Sequence, residues 1–336
     1  MKQRKGIVKT FSESCLGSTT SGSSSVPKVE RKRLVLRVQS ELMRSVRRFL
    51  EGKGLMEVLP PMFEPFTDSG IGAAGFFEID YYGRPLKLLS ALTIHKPLIA
   101  TQFGSFFAFT PCARREPESF AGDGRHLAQF YQVEVETLGK CEDAIRLLEE
   151  TISFVLADVK QRCASELKLL GRELQVPRVP FKRVTYKEAV KRAQELGFEI
   201  QEGDSISCDV EKALSESIGE PFFLTEFPKS LLDERGFLYR AKDGKDVLLD
   251  FDLILPERFG EVSSGSEREF EYEKIVDSLK QTGRLADYAD YLKLAKRGIV
   301  PTSGFGIGVE RLTKFVCGLD DIADASVFPK VPGAIN

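Results

Sequence analysis

Ser303-Gly-Phe-Gly-Ile-Gly-Val-Glu-Arg311, near the carboxyl end, is the most informative segment of the chain. Its three glycines stand at alternate positions, so the backbone lets a ligand approach closely. The helix expected after them would present free N–H groups, and Arg311 adds a cation for phosphate oxygens. The segment lacks the Gly-x-Gly-x-x-Gly spacing of dinucleotide-binding folds and the Gly-Lys-Ser/Thr of a Walker loop. It therefore predicts a phosphate-binding element of another kind.

Length and composition describe a folded protein. The chain has 336 residues, 42% of them hydrophobic and 29% charged, which suffices for one large domain or two ordinary ones. Lys and Arg (48) nearly balance Asp and Glu (50), so the basic excess that is typical of proteins that bind long nucleic acids is absent. No apolar run predicts a membrane span or a signal peptide, and the six scattered cysteines fit a reducing compartment. We therefore expect a cytoplasmic protein without a membrane partner.

The chain divides into a tail and a folded region. Residues 1–27 are rich in Ser, Thr and Gly, which predicts a flexible tail, and residues 28–336 are expected to form one domain. Within that domain, apolar residues recur at helical spacing from Val29 to Leu50. Further on, predicted strands fall in blocks separated by helices, without strict βαβ alternation. This pattern predicts an α+β fold, a mainly antiparallel sheet flanked by helices.

A second group of polar residues lies on two predicted strands, Phe106–Arg115 and Leu127–Leu138. If the strands form a hairpin, Arg114, Glu116 and the Arg125-His126 pair gather at its open end, close to Phe130. A guanidinium next to an aromatic ring and an imidazole suits a nucleotide, with charge for a phosphate and a ring face for the base. A surface hairpin with ordinary ion pairs is the alternative.

A third group lies between these two in the sequence. Asp252, Glu261 and Ser264 fall on neighbouring predicted strands, followed by Arg268. Mg²⁺ is usually bound by one or two carboxylates, and water and phosphate oxygens complete its coordination. Acidic residues at strand ends are common, so this group alone is a weak signal.

In their order and separation, three segments of the chain resemble motifs 1, 2 and 3 of class II aminoacyl-tRNA synthetases. Motif 1 corresponds to the strand that ends at Pro60-Pro61, motif 2 to the Arg-x-Glu hairpin and motif 3 to the glycine segment. Arg125-His-Leu127, Phe223–Pro228 and Gly260–Arg268 are similar to the aspartyl and asparaginyl branch. The last of these, with the ending Phe328–Gly333, most resembles archaeal asparagine synthetase related to asparaginyl-tRNA synthetase. The resemblance implies a class II catalytic fold.

The resemblance also implies a role for each matched residue. Arg114 would hold the α-phosphate of ATP and act in catalysis with Arg311, while Phe130 would stack on adenine. No general base is needed, because the attacking group is already a carboxylate. The implied ATP ligands are Arg114, Glu116, Arg125, His126, Phe130, Glu261 and Arg311; the amino-acid ligands are Lys96, Gln132, Glu134 and Arg268; and the Mg²⁺ ligands are Asp252, Glu261 and Ser264.

The acid substrate is inferred from two of these cations. Lys96 and Arg268 stand where aspartyl-tRNA synthetases hold the side chain of aspartate, and asparaginyl-tRNA synthetases lack the lysine. Two cations therefore favour aspartate, and a lysine that caps a helix is the alternative. Glu134 departs from the family, which usually has Asp at this position.

The function expected at this stage is that of an AMP-forming aspartate–ammonia ligase. The residues before motif 1 form only a tail and one helix, so neither an anticodon-binding domain nor tRNA as a partner is expected. ATP, aspartate and ammonia would then react through a β-aspartyl-adenylate. The alternatives are an adenylating ligase or synthetase paralogue with another amino acid or acceptor, and a non-catalytic regulatory paralogue. The family also implies a homodimer through motif 1, although the apolar stripe Leu34–Leu50 would equally suit an intramolecular core.

Overall fold

A computed structural model describes residues 27–334 of the chain. The predicted tail, residues 1–27, therefore lies outside the described residues except for Pro27. The strands are β1 (Met56–Glu57), β2 (Phe63–Glu64), β3 (Glu78–Tyr81), β4 (Arg84–Leu88), β5 (Phe106–Ala113), β6 (Gln129–Thr137), β7 (Lys182–Thr185), β8 (Phe222–Thr225), β9 (Asp250–Leu255), β10 (Gly260–Glu267) and β11 (Ser303–Gly308). The helices are α1 (Lys28–Gly52), α2 (Lys96–Phe103), α3 (Cys141–Arg162), α4 (Ala164–Leu170), α5 (Tyr186–Glu195), α6 (Cys208–Ile218), α7 (Leu232–Arg235), α8 (Tyr272–Gln281), α9 (Ala289–Ala295) and α10 (Val309–Cys317).

Eight strands form one sheet in the order β1-β5-β6-β11-β10-β9-β8-β7. The pairs at the two edges, β1 with β5 and β7 with β8, are parallel, and all pairs between them are antiparallel. A smaller antiparallel sheet has the order β2-β4-β3. The predicted α+β class, with a mainly antiparallel sheet flanked by helices, is confirmed. The hairpin of β5 and β6 lies next to β11, so the order of the sheet brings motifs 2 and 3 together.

The apolar stripe of α1 belongs to the core of its own chain. Leu34, Val38, Leu42, Val46 and Leu50 are at most 2% exposed. They pack in the main hydrophobic cluster with residues of α3, α4 and α10. In the structure the stripe therefore forms part of the intramolecular core, which was the alternative to a dimer interface. Within the described residues, no helix is both long and apolar enough to cross a membrane.

Several predicted elements differ from the observed ones. The strand expected over 58–62 is replaced by the two-residue strand β1, since Pro60 and Pro61 have no N–H to donate to a neighbouring strand. The sequence also predicts a strand over 237–240, but in the structure this segment makes only an isolated bridge from Tyr239 to Arg268. Apolar residues at helical spacing predict one long helix over 141–169, whereas the structure has two helices there, which meet at Cys163.

Candidate active site

The site is a cavity of about 250 Å³ on the face of the large sheet formed by β6, β10 and β11. The three arginines that sequence analysis placed far apart, Arg114, Arg268 and Arg311, all line it. Asp252 is the only predicted site residue that is not among the lining residues. The other predicted residues on its wall are Lys96, Glu116, Arg125, His126, Phe130, Gln132, Glu134, Glu261 and Ser264.

At one end of the cavity, two cations are paired with two carboxylates of β6. Lys96 Nζ donates to Glu134 Oε2 at 2.8 Å and to the carbonyl oxygen of Phe305 at 3.0 Å. Arg268 Nε and Nη2 donate to Glu136 Oε1 and Oε2 at 3.1 and 3.2 Å. All four charged side chains are at most 1% exposed. Buried charges persist only when they are paired and hydrogen-bonded, so these four groups hold one another in place.

The glycines of motif 3 make room for these carboxylates. The register of β6 with β11 pairs Glu136 with Gly304 and Glu134 with Gly306. A Cβ atom on Gly304 would lie 2.1 Å from Glu136 Oε2, and one on Gly306 would lie 3.1 Å from Glu134 Oε2. The sequence interpretation, in which all three glycines admit a ligand, therefore needs correction at Gly304, where the close neighbour is part of the protein.

The other end of the cavity carries the residues predicted to bind ATP. Arg114 Nε donates to the carbonyl oxygen of Ser90 at 3.1 Å, and its Cζ lies 5.1 Å from the centre of the Phe130 ring. Arg311 Nη1 donates to Glu261 Oε1 at 3.1 Å. Burial raises the pKa of Glu116, whereas Arg311 and three other nearby arginines outweigh burial and lower the pKa of Glu261.

His126 lies beside these arginines. Its Nδ1 contacts Asp123 Oδ2, and its ring stacks on Phe120 with the ring centres 4.5 Å apart. Burial, with a contribution from Arg311, lowers the pKa of this histidine below its usual value. A neutral imidazole fixed at the cavity wall can donate a hydrogen bond, but it does not add a charge at neutral pH.

Arg125 is used inside the protein. Its Nη2 donates to Glu211 Oε2 at 2.6 Å, and Glu211, on α6, also accepts from the backbone N of Glu261 at 3.0 Å. Arg125 is 7% exposed, and the carboxylates of Glu211 and Glu261 raise its pKa despite its burial. Glu211 thus fixes the guanidinium of Arg125 in the cavity wall, 3.8 Å from the carboxylate of Glu261, and the binding of ATP by Arg125 stays a prediction.

Asp252 is likewise ion-paired within the protein. Its two carboxylate oxygens accept from Nη1 and Nη2 of Arg235 at 2.6 and 2.9 Å. Among residues 27–334, no group of three or more His, Cys, Asp or Glu side chains is placed to hold a metal ion. The predicted Mg²⁺ set of Asp252, Glu261 and Ser264 does not fit a divalent cation in this arrangement, because a guanidinium already binds Asp252 and Arg311 binds Glu261.

Sequence analysis missed several charged residues of the site, among them Glu136, Glu310, Glu211 and Arg235. Glu136 could have been found, because it lies two residues after Glu134 and therefore on the same face of one strand. Glu310 lies within motif 3 itself, accepts from the backbone N of Tyr131 at 3.0 Å, and has a pKa that burial raises to about 7. Glu211 and Arg235 come from helices far from the motifs, and no local pattern marks them.

Comparison with known proteins agrees with this geometry. Residues 26–332 match the family of class II tRNA synthetases (D, K and N). The chain is 33% identical to the asparagine–tRNA ligase of Pyrococcus abyssi over 310 residues, which cover 90% of this chain and 69% of the relative. It is 30% identical to the aspartate–tRNA(Asp/Asn) ligase of Methanopyrus kandleri, covering 90% and 68% of the two chains. Among solved structures, asparaginyl-tRNA synthetase from Pyrococcus horikoshii with asparaginyl-adenylate superimposes with a TM-score of 0.83 at 28% identity, over 91% of this chain and 70% of the other.

The fold and the site thus define an ATP-dependent ligase with a class II catalytic architecture. The chain belongs to the class II tRNA synthetases, in the family that groups the enzymes for D, K and N. The resemblance drawn from the three motifs is confirmed.

Two expectations are wrong. The relatives and structural neighbours are asparagine–tRNA and aspartate–tRNA ligases, which contradicts the reading as an aspartate–ammonia ligase. The same names contradict the expectation that tRNA is not a partner of a chain of this kind.

Proposed function

We propose that this chain joins aspartate to AMP at the expense of ATP and then transfers the aspartyl group to tRNA. The observation that carries the choice of aspartate is the presence of Lys96 beside Arg268 in the buried end of the cavity. The family supports ATP and tRNA as co-substrates. Mg²⁺ enters this proposal only as the counter-ion of ATP in solution.

The charge of the buried end supports aspartate. Lys96 and Arg268 carry two positive charges, and Glu134 and Glu136 carry two negative charges, so the cluster is neutral. During adenylation the α-carboxylate faces ATP, which leaves the ammonium group and the side chain of the amino acid in this end. The ammonium and the side-chain carboxylate of aspartate cancel, whereas asparagine would bring a net positive charge into a buried site. Uncompensated buried charge is costly, so aspartate matches the cluster better.

The chemistry needs few protein groups. A carboxylate oxygen of the amino acid attacks the α-phosphorus of ATP, an O–P bond forms, and pyrophosphate leaves with the electrons of the bond to the β-phosphate. Arg114 and Arg311 supply fixed positive charge where negative charge builds on the phosphoryl oxygens. Since the nucleophile is already ionised, no side chain must remove a proton. A terminal ribose hydroxyl of tRNA then attacks the acyl carbon. An ester bond forms, the bond from the acyl carbon to the phosphate oxygen breaks, AMP leaves with the electrons of that bond, and the hydroxyl proton is released to the departing phosphate.

Asparagine is the second candidate substrate. The amide of asparagine could donate to the buried carboxylates, and several relatives are asparagine–tRNA ligases. Under this reading Lys96 serves mainly to neutralise Glu134, with which it makes its shortest contact.

Exchange of labelled pyrophosphate into ATP, measured with each of the two amino acids, separates these candidates. We expect exchange with aspartate, and charging of tRNA with labelled aspartate. Exchange with asparagine alone would refute the choice of aspartate, and exchange with neither would refute adenylation of these acids. Arg114→Ala should abolish exchange, while Arg115→Ala, which removes the exposed neighbouring arginine, should leave it within about a factor of two of wild type, as expected for a surface change.

We also propose a homodimer, formed through the edge of the large sheet at β1. Met56, Leu59 and Met62 are 48%, 95% and 63% exposed, which is a high exposure for three apolar side chains along one short segment. Sedimentation equilibrium should give a dimer for the wild-type chain and a monomer for Leu59→Glu. A wild-type monomer at micromolar concentration would refute this proposal.

A further inference from the structure

Arg235 lies next to Asp252 and neutralises the charge of its carboxylate. Arg235 makes a two-point contact with Asp252, and its Nε donates to Asp250 Oδ2 at 2.9 Å. Asp250 is 2% exposed and Asp252 is 6% exposed. A guanidinium matches a carboxylate in this fork-to-fork geometry far better than an ammonium does. Arg235, Asp250 and Asp252 therefore form one hydrogen-bonded ion-pair network that is largely shielded from solvent.

Arg235 is held on its other sides as well. Its Cζ lies 3.8 Å from the centre of the Phe227 ring, close enough for a cation–π contact. The loop that includes Gly70 packs against its backbone so tightly that a Cβ atom on Gly70 would lie 2.7 Å from the carbonyl oxygen of Arg235. These contacts fix the guanidinium without using all its donors. Three of its five N–H groups are engaged, and the side chain lines the cavity.

We propose that Arg235 takes the place of a protein-bound divalent cation at Asp252, and that the second N–H group of its Nη1 binds a phosphate oxygen of ATP. This inference rests on the proposed use of ATP. A metal ion bound to Asp252 would lie within a few ångströms of the guanidinium, and two cations at that distance in a partly buried site repel each other strongly. An arginine here carries positive charge to the phosphates permanently, without prior metal binding.

Direct metal binding tests the proposal without any measurement of activity. Binding of Mn²⁺ to the full chain without nucleotide is followed by electron paramagnetic resonance, for wild type, Asp252→Asn, Arg235→Gln and the double variant. We expect no Mn²⁺ site in wild type that depends on Asp252. We expect Arg235→Gln to gain one site, with at least about a tenfold rise in affinity (1.4 kcal/mol), and the double variant to lose it. Arg284→Gln is the matched control. It breaks the ion pair of Arg284 with Asp233, which lies on α7 like Arg235, and it leaves Asp252 untouched.

A Mn²⁺ site in wild type that Asp252→Asn removes would overturn the proposal, and so would a folded Arg235→Gln variant without a new site. If Arg235→Gln does not fold, the comparison of wild type with Asp252→Asn still tests whether Asp252 binds a metal ion.

The proposed contact of Arg235 with a phosphate of ATP is tested by isothermal titration with a non-hydrolysable ATP analogue and no divalent cation. The wild type should bind at least about tenfold more tightly than Arg235→Lys, which keeps the charge but loses the fork. Equal affinities would refute the phosphate contact. Failure of the proposed function would show separately, as absence of pyrophosphate exchange.

Discussion

Gly304 provides the sharpest test of the account of motif 3. In the sheet, Gly304 is paired with Glu136, and a Cβ atom there would lie 2.1 Å from Glu136 Oε2 and 2.2 Å from the carbonyl oxygen of Val135. The second atom is backbone and cannot rotate away, so β11 and β6 must separate. Forcing an extra carbon into a packed interior costs about 1 to 3 kcal/mol, and we expect Gly304→Ala to lie at or above the top of that range.

The same motif contains its own controls. A Cβ atom on Gly308 would meet only side-chain carbons of Arg311 at 3.4 Å, an ordinary contact distance, so Gly308→Ala should be close to neutral for stability. Gly306→Ala should be intermediate, since its nearest neighbour is a side-chain oxygen at 3.1 Å. Urea denaturation followed by circular dichroism gives the midpoints and slopes. The reasoning is refuted if Gly304→Ala is as stable as wild type, or if Gly308→Ala loses as much as Gly304→Ala does.

Two further predictions concern carboxylates that sequence analysis missed. Glu211→Ala should lower the free energy of unfolding by about 3 kcal/mol, because it removes the carboxylate 2.6 Å from the buried Arg125 and leaves only the longer contact with Glu261 at 3.8 Å. Glu216→Ala, which breaks an exposed pair on the same helix, should cost about 1 kcal/mol or less, and equal losses would contradict the role given to Glu211. For Glu310, burial raises the pKa from 4.5 to about 7, so the folded chain holds a proton that the unfolded chain has lost between those values. Stability of the wild type should therefore fall as pH rises through this window. Relative to wild type, Glu310→Gln should gain of the order of 3 kcal/mol between pH 4 and pH 8, and parallel pH profiles in urea denaturation would contradict the shift.

The convergence of the three arginines could be predicted from sequence because it depends on the order of motifs and on strand pairing. Arg114 follows β5, Arg268 follows β10, and Arg311 follows β11, so each lies next to a strand of the same sheet. Once a hairpin of β5 and β6 is expected, the side-chain alternation of strands places its polar residues on one face. The site could therefore be located without coordinates.

The purpose of the glycines could not be predicted in the same way. Their alternate spacing is visible in the sequence, but the register that sets Gly304 beside Glu136 is a property of the assembled sheet. When the register is unknown, a glycine at this position can be explained equally well by a ligand that approaches the backbone or by a neighbouring carboxylate that leaves no room for a Cβ atom. The length of β1 is a second example. The sequence shows that Pro60 and Pro61 must end the strand, but the strand already ends at Glu57, before the prolines.

Two of the predicted ligands, Arg125 and Asp252, are ion-paired by residues of the same segment. Arg125 is bound by Glu211 of α6, and Asp252 is bound by Arg235 of α7, and both helices come from the segment between β6 and β9. This segment therefore supplies a partner of opposite charge to Arg125 and to Asp252, both of which interact with Glu261, and the surrounding arginines lower the pKa of Glu261. Charges that are fixed before the ligand arrives need no reorganisation when negative charge develops on a phosphate, which is the physical basis of electrostatic catalysis. The segment between motifs 2 and 3 thus contributes to the site, since without its two helices Arg125 in the cavity wall and Asp252 behind it would both lose the charged partners that hold them in place.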